Sequence, residues 1–272
     1  MSEPQMSSAS KTLELLKFFS PQRPEIGLSQ MCKLARRDKA TTYRHLQALE
    51  DAGFVEQNPV TKQYRLGPTL LSLARTRELT VPRKAGVEAP LRSLADATGE
   101  TSHVCVLSGK TLYNLSTCES AQHSIRVVID IETFPLHATS SGLTALAFGP
   151  DDLQTGAKLK RYTQNTITDT TALDRAIQTT RASGFGKSKG TYETDVHSLA
   201  APLFDQTGQL AGTVATASVA TRLTPALEQI IKAHLVAASR AITHNWGGTI
   251  PAQVEQAWAA SLSHTQELET TS

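Results

Sequence analysis

The sequence predicts an α+β chain of two domains, an N-terminal winged helix-turn-helix and a larger C-terminal module built on a mostly antiparallel sheet. Three observations predict it. The chain has 272 residues, and at roughly 100–200 residues per domain that length suggests two. Residues 8–67 carry three amphipathic helical segments and then two short β-rich runs, whereas beyond residue 83 strand-like runs alternate with turns and polar helices. The formal charge of +2 also divides unevenly: residues 1–80 hold 12 Lys+Arg against 8 Asp+Glu, and the remainder 15 against 17. Hydrophobic residues at 39% and charged residues at 19% fit a folded globular chain. No apolar run reaches the roughly 18–20 residues of a membrane span, and the polar start lacks a signal-peptide core. The three cysteines (Cys32, Cys105, Cys118) are an odd number. No disulfide framework and a reducing cytoplasm are therefore expected.

Lys11–Phe19 carries Leu13, Leu15, Leu16, Phe18 and Phe19 and predicts a first helix, with Ser10 as N-cap and Ser20-Pro21 as its end. A second helix is expected from Leu28-Ser29, capped by Ser29, with Met31, Cys32, Leu34 and Ala35 inward. After the turn Arg36-Arg37-Asp38, a third helix runs from about Lys39 to Asp51 and stops at Gly53, which tolerates a left-handed cap. Ala40, Tyr43, Leu46 and Leu49 are its expected inward positions. Strands Phe54–Glu56 and Gln63–Leu66, joined through Asn58-Pro59 and Thr61-Lys62, complete a wing.

Lys33 to Arg44 holds five cations and one anion. Such a run is ordinarily a solvated helix face, but here it falls on the helix that enters the major groove in a winged helix. Arg36, Arg37, Lys39, Thr41, Thr42, Arg44, His45 and Gln47 are therefore the candidate DNA contacts, with Lys62 at the wing tip. Arginine reads guanine edges, and threonine meets phosphate or the thymine methyl. The alternative is a winged helix that serves only as a protein interface.

Gly67-Pro68 opens a linker helix over 68–82, with Leu70, Leu71, Leu73 and Ala74 on one face, ending near Val81-Pro82. It either couples and dimerises the domains or acts as a spacer. Residues 83–247 form the second domain. A helix over Arg83–Thr98 ends at Gly99, and strands follow at Thr101–Leu107 and Thr111–Cys118 around the turn Ser108-Gly109-Lys110. His123–Ile131 is expected as a third strand, Thr139–Phe148 as a small helix, and 151–184 as two polar helices. Phe185–Lys189, Val196–Phe204 and Leu210–Ala217 are expected strands, with a turn at Asp205–Gly208. A long helix over Thr224–Asn245 closes the domain, and the tail 248–272 is expected as a loose helix (Val254–Leu262) and then disorder.

Thr41-Thr42-Tyr43-Arg44-His45-Leu46 with Gly53-Phe54-Val55, then Leu136-His137-Ala138-Thr139-Ser140-Ser141-Gly142, Ser183-Gly184-Phe185 and Ser198-Leu199-Ala200-Ala201-Pro202-Leu203-Phe204-Asp205, occur in that order. In these motifs the chain resembles the IclR family of bacterial transcription regulators over about residues 10–245. The resemblance implies a GAF-like effector-binding domain for a small organic or aromatic acid. It also implies a homodimer, or a homotetramer as a dimer of dimers, on a DNA operator of two-fold symmetry. Its pocket elements correspond to Ser140, Ser141, Gly142, Ser188, Ser198 and Thr213. The N–H groups of a helix starting at Ser140-Ser141-Gly142 suit a carboxylate, and the hydroxyls orient it. Three places depart from the family: Leu143 replaces a lysine, Lys187-Ser188-Lys189-Gly190 lacks a common acid, and the last strand carries Ala215 and Ala217. A less polar pocket follows. Arg126 faces either the ligand or the surface.

His103-x-Cys105 with Cys118 and His123 is not a zinc spacing, and no metal or cofactor is expected. Neither a nucleophile elbow nor a phosphate loop occurs, so no catalytic residue is assigned. The competing reading is a ligand- or metal-binding sensor or enzyme whose winged helix serves only for oligomerisation.

Overall fold

The computed structural model describes residues 7–20, 22–80, 82–154 and 158–269. They divide into two units, one up to residue 81 and one from Pro82 onward. Pro21, Val81, residues 155–157 of the expected polar helices and residues 270–272 of the tail lie outside the described residues.

In the first unit α1 spans Ser8–Glu14 and continues as a 3-10 turn over Leu15–Phe18. Its cap is Ser7, whose side chain accepts the Ser10 N–H, and not Ser10 itself. α2 (Leu28–Ala35) starts after Gly27, so Ser29 lies inside the helix. α3 covers Lys39–Asp51, with the Asp38 carboxylate accepting the Thr41 N–H at 2.8 Å. Its C-terminal carbonyls are met by a Schellman arrangement: Phe54 N–H bonds to Leu49 O, and Gly53 sits at φ +71°, where a side chain would be strained. The wing strands are β2 (Val55–Gln57) and β3 (Tyr64–Leu66). They share a sheet with β1 (Glu25–Ile26), which the sequence reading missed because two residues carry no period. Leu15, Ile26, Met31, Leu46, Leu49 and Tyr64 form this unit's own core. α4 (Thr69–Thr80) follows and buries none of its residues.

The second unit begins with α5 (Glu88–Thr98), shorter than expected because residues 83–87 form turns. Its sheet is antiparallel throughout, in the order β6-β5-β4-β9-β8-β7. The strands are β4 (Thr101–Ser108), β5 (Thr111–Cys118), β6 (Thr133–Phe134), β7 (Gly186–Lys189), β8 (Val196–Phe204) and β9 (Leu210–Val219). The register sets His103 opposite Ala215, Cys105 opposite Thr213, Ala217 opposite Ser198, and Ser198 opposite Ser188. Directly paired residues share a face, so these side chains lie together under α6 (Ser140–Phe148). Val104, Leu199, Leu203 and Val214 alternate to the opposite face, in the core with Leu91 and Leu94 of α5 and Leu235 of α8 (Pro225–Asn245).

Three expectations fail here. His123–Ile131 is not a strand but an irregular strap across the α6 side of the sheet. Its alternation is that of a strand, but β6 pairs with the start of the free β5 edge (Leu112 opposite Phe134, Tyr113 opposite Thr133), and the strap forms no ladder with the rest. The strap is tied down by side chains instead: Thr101 Oγ1 donates to Val127 O at 2.6 Å, and Arg222 Nη1 to Ile125 O at 3.1 Å. The stretch 151–184 holds a 3-10 turn (Asp151–Gln154) and a single α-helix, α7 (Thr170–Ser183), among its described residues. The tail holds a longer, docked helix, α9 (Ala252–Glu269), where a loose helix over Val254–Leu262 was expected. Trp258, 1% exposed, packs near Phe185 and donates to Gly184 O at 2.8 Å.

Candidate functional site

Two surfaces concentrate the chemistry, one in each unit. On α3 the inward phase is set by Leu46 and Leu49, both buried. One turn earlier, Thr42 and His45 must then also face inward. Thr42 is fully buried and donates Oγ1 to Asp38 O at 2.8 Å, and His45 is buried with Nδ1 against Thr12 Oγ1. Burial, then the charges of Arg37, Arg44 and Lys11, hold the His45 pKa below the ordinary value. Both residues therefore brace α3 and leave the outward face, contrary to the sequence reading. Ala40 and Tyr43 move the other way: Ala40 is exposed and Tyr43 is 43% exposed. With Arg44 and Gln47 they make one outward stripe at helical spacing. Tyr43 is the residue the sequence reading missed, because its ring was assigned to the core by hydrophobicity instead of phase.

The flanking cations separate by what holds them. Arg37 donates to Lys11 O at 2.7 Å and pairs with Glu14, so it staples α1 to the turn. Arg36, at φ 52°, and Lys39 are exposed at the N-terminal end of α3, with half-exposed Thr41 between Lys39 and Arg44. Lys62 stands exposed at the wing tip at φ 58°, held by its N–H to Asn58 O.

In the second unit a cleft opens between α6, the strap and the strands β4, β7 and β8. Ser140, Ser141, Ser188 and Ser198 line it. Gly142 does not: its Cα lies so close to the Leu136 backbone that a Cβ would stand 2.4 Å from it, so this glycine packs the loop. Thr213 is buried beside Cys105 and is likewise no part of the lining. Arg126 pairs with Glu119, away from the cleft.

The α6 N-terminus is prepared by its cap. Thr139 Oγ1 accepts the Gly142 N–H at 3.0 Å, and the helical ladder begins with Leu143 N–H to Thr139 O. The N–H groups of Ser140 and Ser141 precede that ladder, at the positive end of the helix dipole. Ser188 meets Thr191, whose hydroxyl donates to Ala138 O, which fixes the loop before α6 to β7. At the base His103, 3% exposed, stacks on Phe134 and meets Ser141 Oγ at 3.1 Å through Nε2, while Nδ1 has no partner. Burial lowers its pKa to about 4, so the ring is neutral. Burial pushes the Cys105 thiol up, only partly offset by the Thr213 and Ser141 hydroxyls, so no thiolate forms there. Among the described residues no three His, Cys, Asp or Glu side chains converge as a metal site would require. No helix of the described residues is long and apolar enough to cross a membrane.

The profile of the IclR helix-turn-helix domain matches residues 8–59, and that of the bacterial transcriptional regulator IclR C-terminal domain matches residues 82–244. The chain is 28% identical to the HTH-type transcriptional regulator KdgR of Escherichia coli strain K12 over 208 residues, which is 75% of this chain and 78% of KdgR. A crystal structure from Silicibacter sp. TM1040, assigned as an IclR transcriptional regulator, superposes with a TM-score of 0.85 at 38% identity and covers 91% of this chain and 99% of that one. An IclR homologue from Microbacterium hydrocarbonoxydans, crystallised with 4-hydroxybenzoate, shares the fold at 19% identity (TM-score 0.70, 88% of this chain and 100% of that one). With both units matched in order, the chain belongs to the IclR family of bacterial transcription regulators.

Proposed function

We propose that the chain is a cytoplasmic, effector-controlled regulator that reads a two-fold symmetric DNA operator as a homodimer or a dimer of dimers. The observation that carries this reading is the outward stripe of α3. Tyr43, Arg44 and Gln47 stand exposed on it, next to the uncommitted side chains of Arg36 and Lys39. That stripe is the part of a winged helix that enters the major groove, and Lys62 supplies a wing contact to phosphate or the minor groove. Leu71 and Leu79 of α4 are 76% and 79% exposed, and such leucines support a helix-to-helix contact between copies. The cleft is the effector site, with Ser140 and Ser141 N–H groups for a carboxylate and the Ser188 and Ser198 hydroxyls beside them. The homologue bound to 4-hydroxybenzoate supports a small organic ligand in this fold. Ligand binding shifts the relative placement of paired winged helices and so changes operator affinity.

The test uses duplexes selected from a random pool by the protein and titrated at several salt concentrations. Arg44→Ala should weaken the selected duplex about tenfold or more, with loss of preference at one base position. Thr42→Val should leave affinity within about twofold, because its side chain faces the core. Unchanged affinity in Arg44→Ala would reject α3 as the reading helix. Ser140→Tyr should keep DNA affinity and blunt the response to any ligand found by thermal shift.

A further inference from the structure

Asp130 on the strap and Glu193 beside β8 both line the cleft and are both exposed, so they stand at its mouth. Partial withdrawal from water, and after it the charge of Asp130, raise the Glu193 pKa above the ordinary carboxylate value. Among the described residues, no Lys or Arg lines the cleft. Arg126, the nearest basic residue on the strap, is engaged by Glu119. The walls between mouth and base are apolar, with Val127, Ile129, Ile131, Phe134 and Val196. At the base, Ser140 and Ser141 open α6, and the neutral His103 keeps a buried ring nitrogen without a partner. A buried polar atom left unpaired is costly and marks a place where a ligand completes the hydrogen bonding.

The electrostatics are asymmetric. A helix N-terminus offers about half a positive charge, whereas the mouth carries two carboxylates. A simple carboxylate gains at the base and is repelled at the mouth, and a dicarboxylate places its second charge against Asp130 and Glu193. We infer that the cleft takes a zwitterion, a small molecule whose carboxylate caps α6 next to His103 and whose cationic nitrogen lies between Asp130 and Glu193. The apolar walls hold the carbon frame that separates the two groups. His103 serves either role at the base, since a neutral imidazole that shares one nitrogen with Ser141 presents the other as donor or acceptor according to its tautomer. This inference rests on the cleft being the effector site and names the charge class of what enters it.

The experiment measures binding of two matched series to the full chain by calorimetry. One is 4-(aminomethyl)benzoate, 4-methylbenzoate and terephthalate; the other is 5-aminopentanoate, pentanoate and glutarate. In at least one series the zwitterion should bind about tenfold tighter than the monoanion, with the dianion weakest. In Asp130→Asn/Glu193→Gln, which changes two exposed groups and should fold normally by circular dichroism, that preference should shrink to about twofold or less. A monoanion or dianion that binds as tightly as the zwitterion in both series overturns the inference. So does a preference that survives the double substitution, or no binding by any of the six probes. Adding the probes to the DNA complex separates the two readings. Zwitterion binding with the stated preference but unchanged DNA affinity supports this inference and rejects ligand control of DNA binding.

Discussion

His103 shows what a single residue does at the base of the cleft. Its folded pKa of about 4 lies below the ordinary histidine value near 6.5. Between these values the unfolded chain holds more protons than the folded one, so stability is full above pH 6.5 and falls as pH drops toward 4. The total is roughly 3 kcal/mol, because each pKa unit is worth about 1.4 kcal/mol. Urea unfolding at pH 7 and at pH 4.5 should show this loss, and His103→Gln should remove most of it. An identical pH slope in the variant would mean that other groups carry the acid sensitivity. His103 was visible in the sequence only as half of an unconvincing metal pair with Cys105. Its role depends on Phe134 stacking over it and on Ser141 arriving from another element. Thr42 and His45 were legible in principle. Each precedes a core leucine of α3 by four residues, and counting back from Leu46 and Leu49 would have turned both inward.

At the scale of elements, strong local signals placed α3 and α8, each with its cap and phase contained in neighbouring residues. The strap and α9 were misread because both depend on what lies beside them. A strand pattern makes a strand only where an edge is free to pair, and β6 occupies part of the β5 edge. The tail reads as loose because its few apolar residues are widely spaced, yet Val254 and Trp258 insert into the core beside Phe185, and Ser261 Oγ donates to Ser183 O at 2.7 Å. Arg240 and Glu255 pair across α8 and α9. Trp258→Ala should therefore cost about 3–5 kcal/mol in urea unfolding of the second unit. A loss below about 1 kcal/mol would show that α9 lies on the surface and not in the core. α9 lies beyond the residues matched by the family profiles, so the resemblance gave no help there.

For the whole molecule, each unit owns a separate hydrophobic core. Residues 82–272 made alone should unfold cooperatively, with a Tm within about 4 °C of the same transition in the full chain, the shift that about 1 kcal/mol produces at this size. That fragment should retain any ligand of the cleft and lose the salt-dependent DNA affinity, since the outward stripe of α3 stays with the other unit. Failure to fold would mean that the first unit completes the second core. The division of charge along the chain, the helix-turn-helix order, the hairpins and the motif series were determined by the sequence, because turns, caps and periodic faces are set by residues close together in the chain. What only the tertiary structure decided is the content of the cleft. Its lining comes from β4, the strap, β6, α6, β7, the Tyr192-Glu193 segment, β8 and β9. Whether Asp130 and Glu193 both reach the cleft, whether His103 keeps an unpaired nitrogen and whether Thr213 is shut out all depend on strand register and on how closely α6 approaches the sheet, which are set by packing between distant segments.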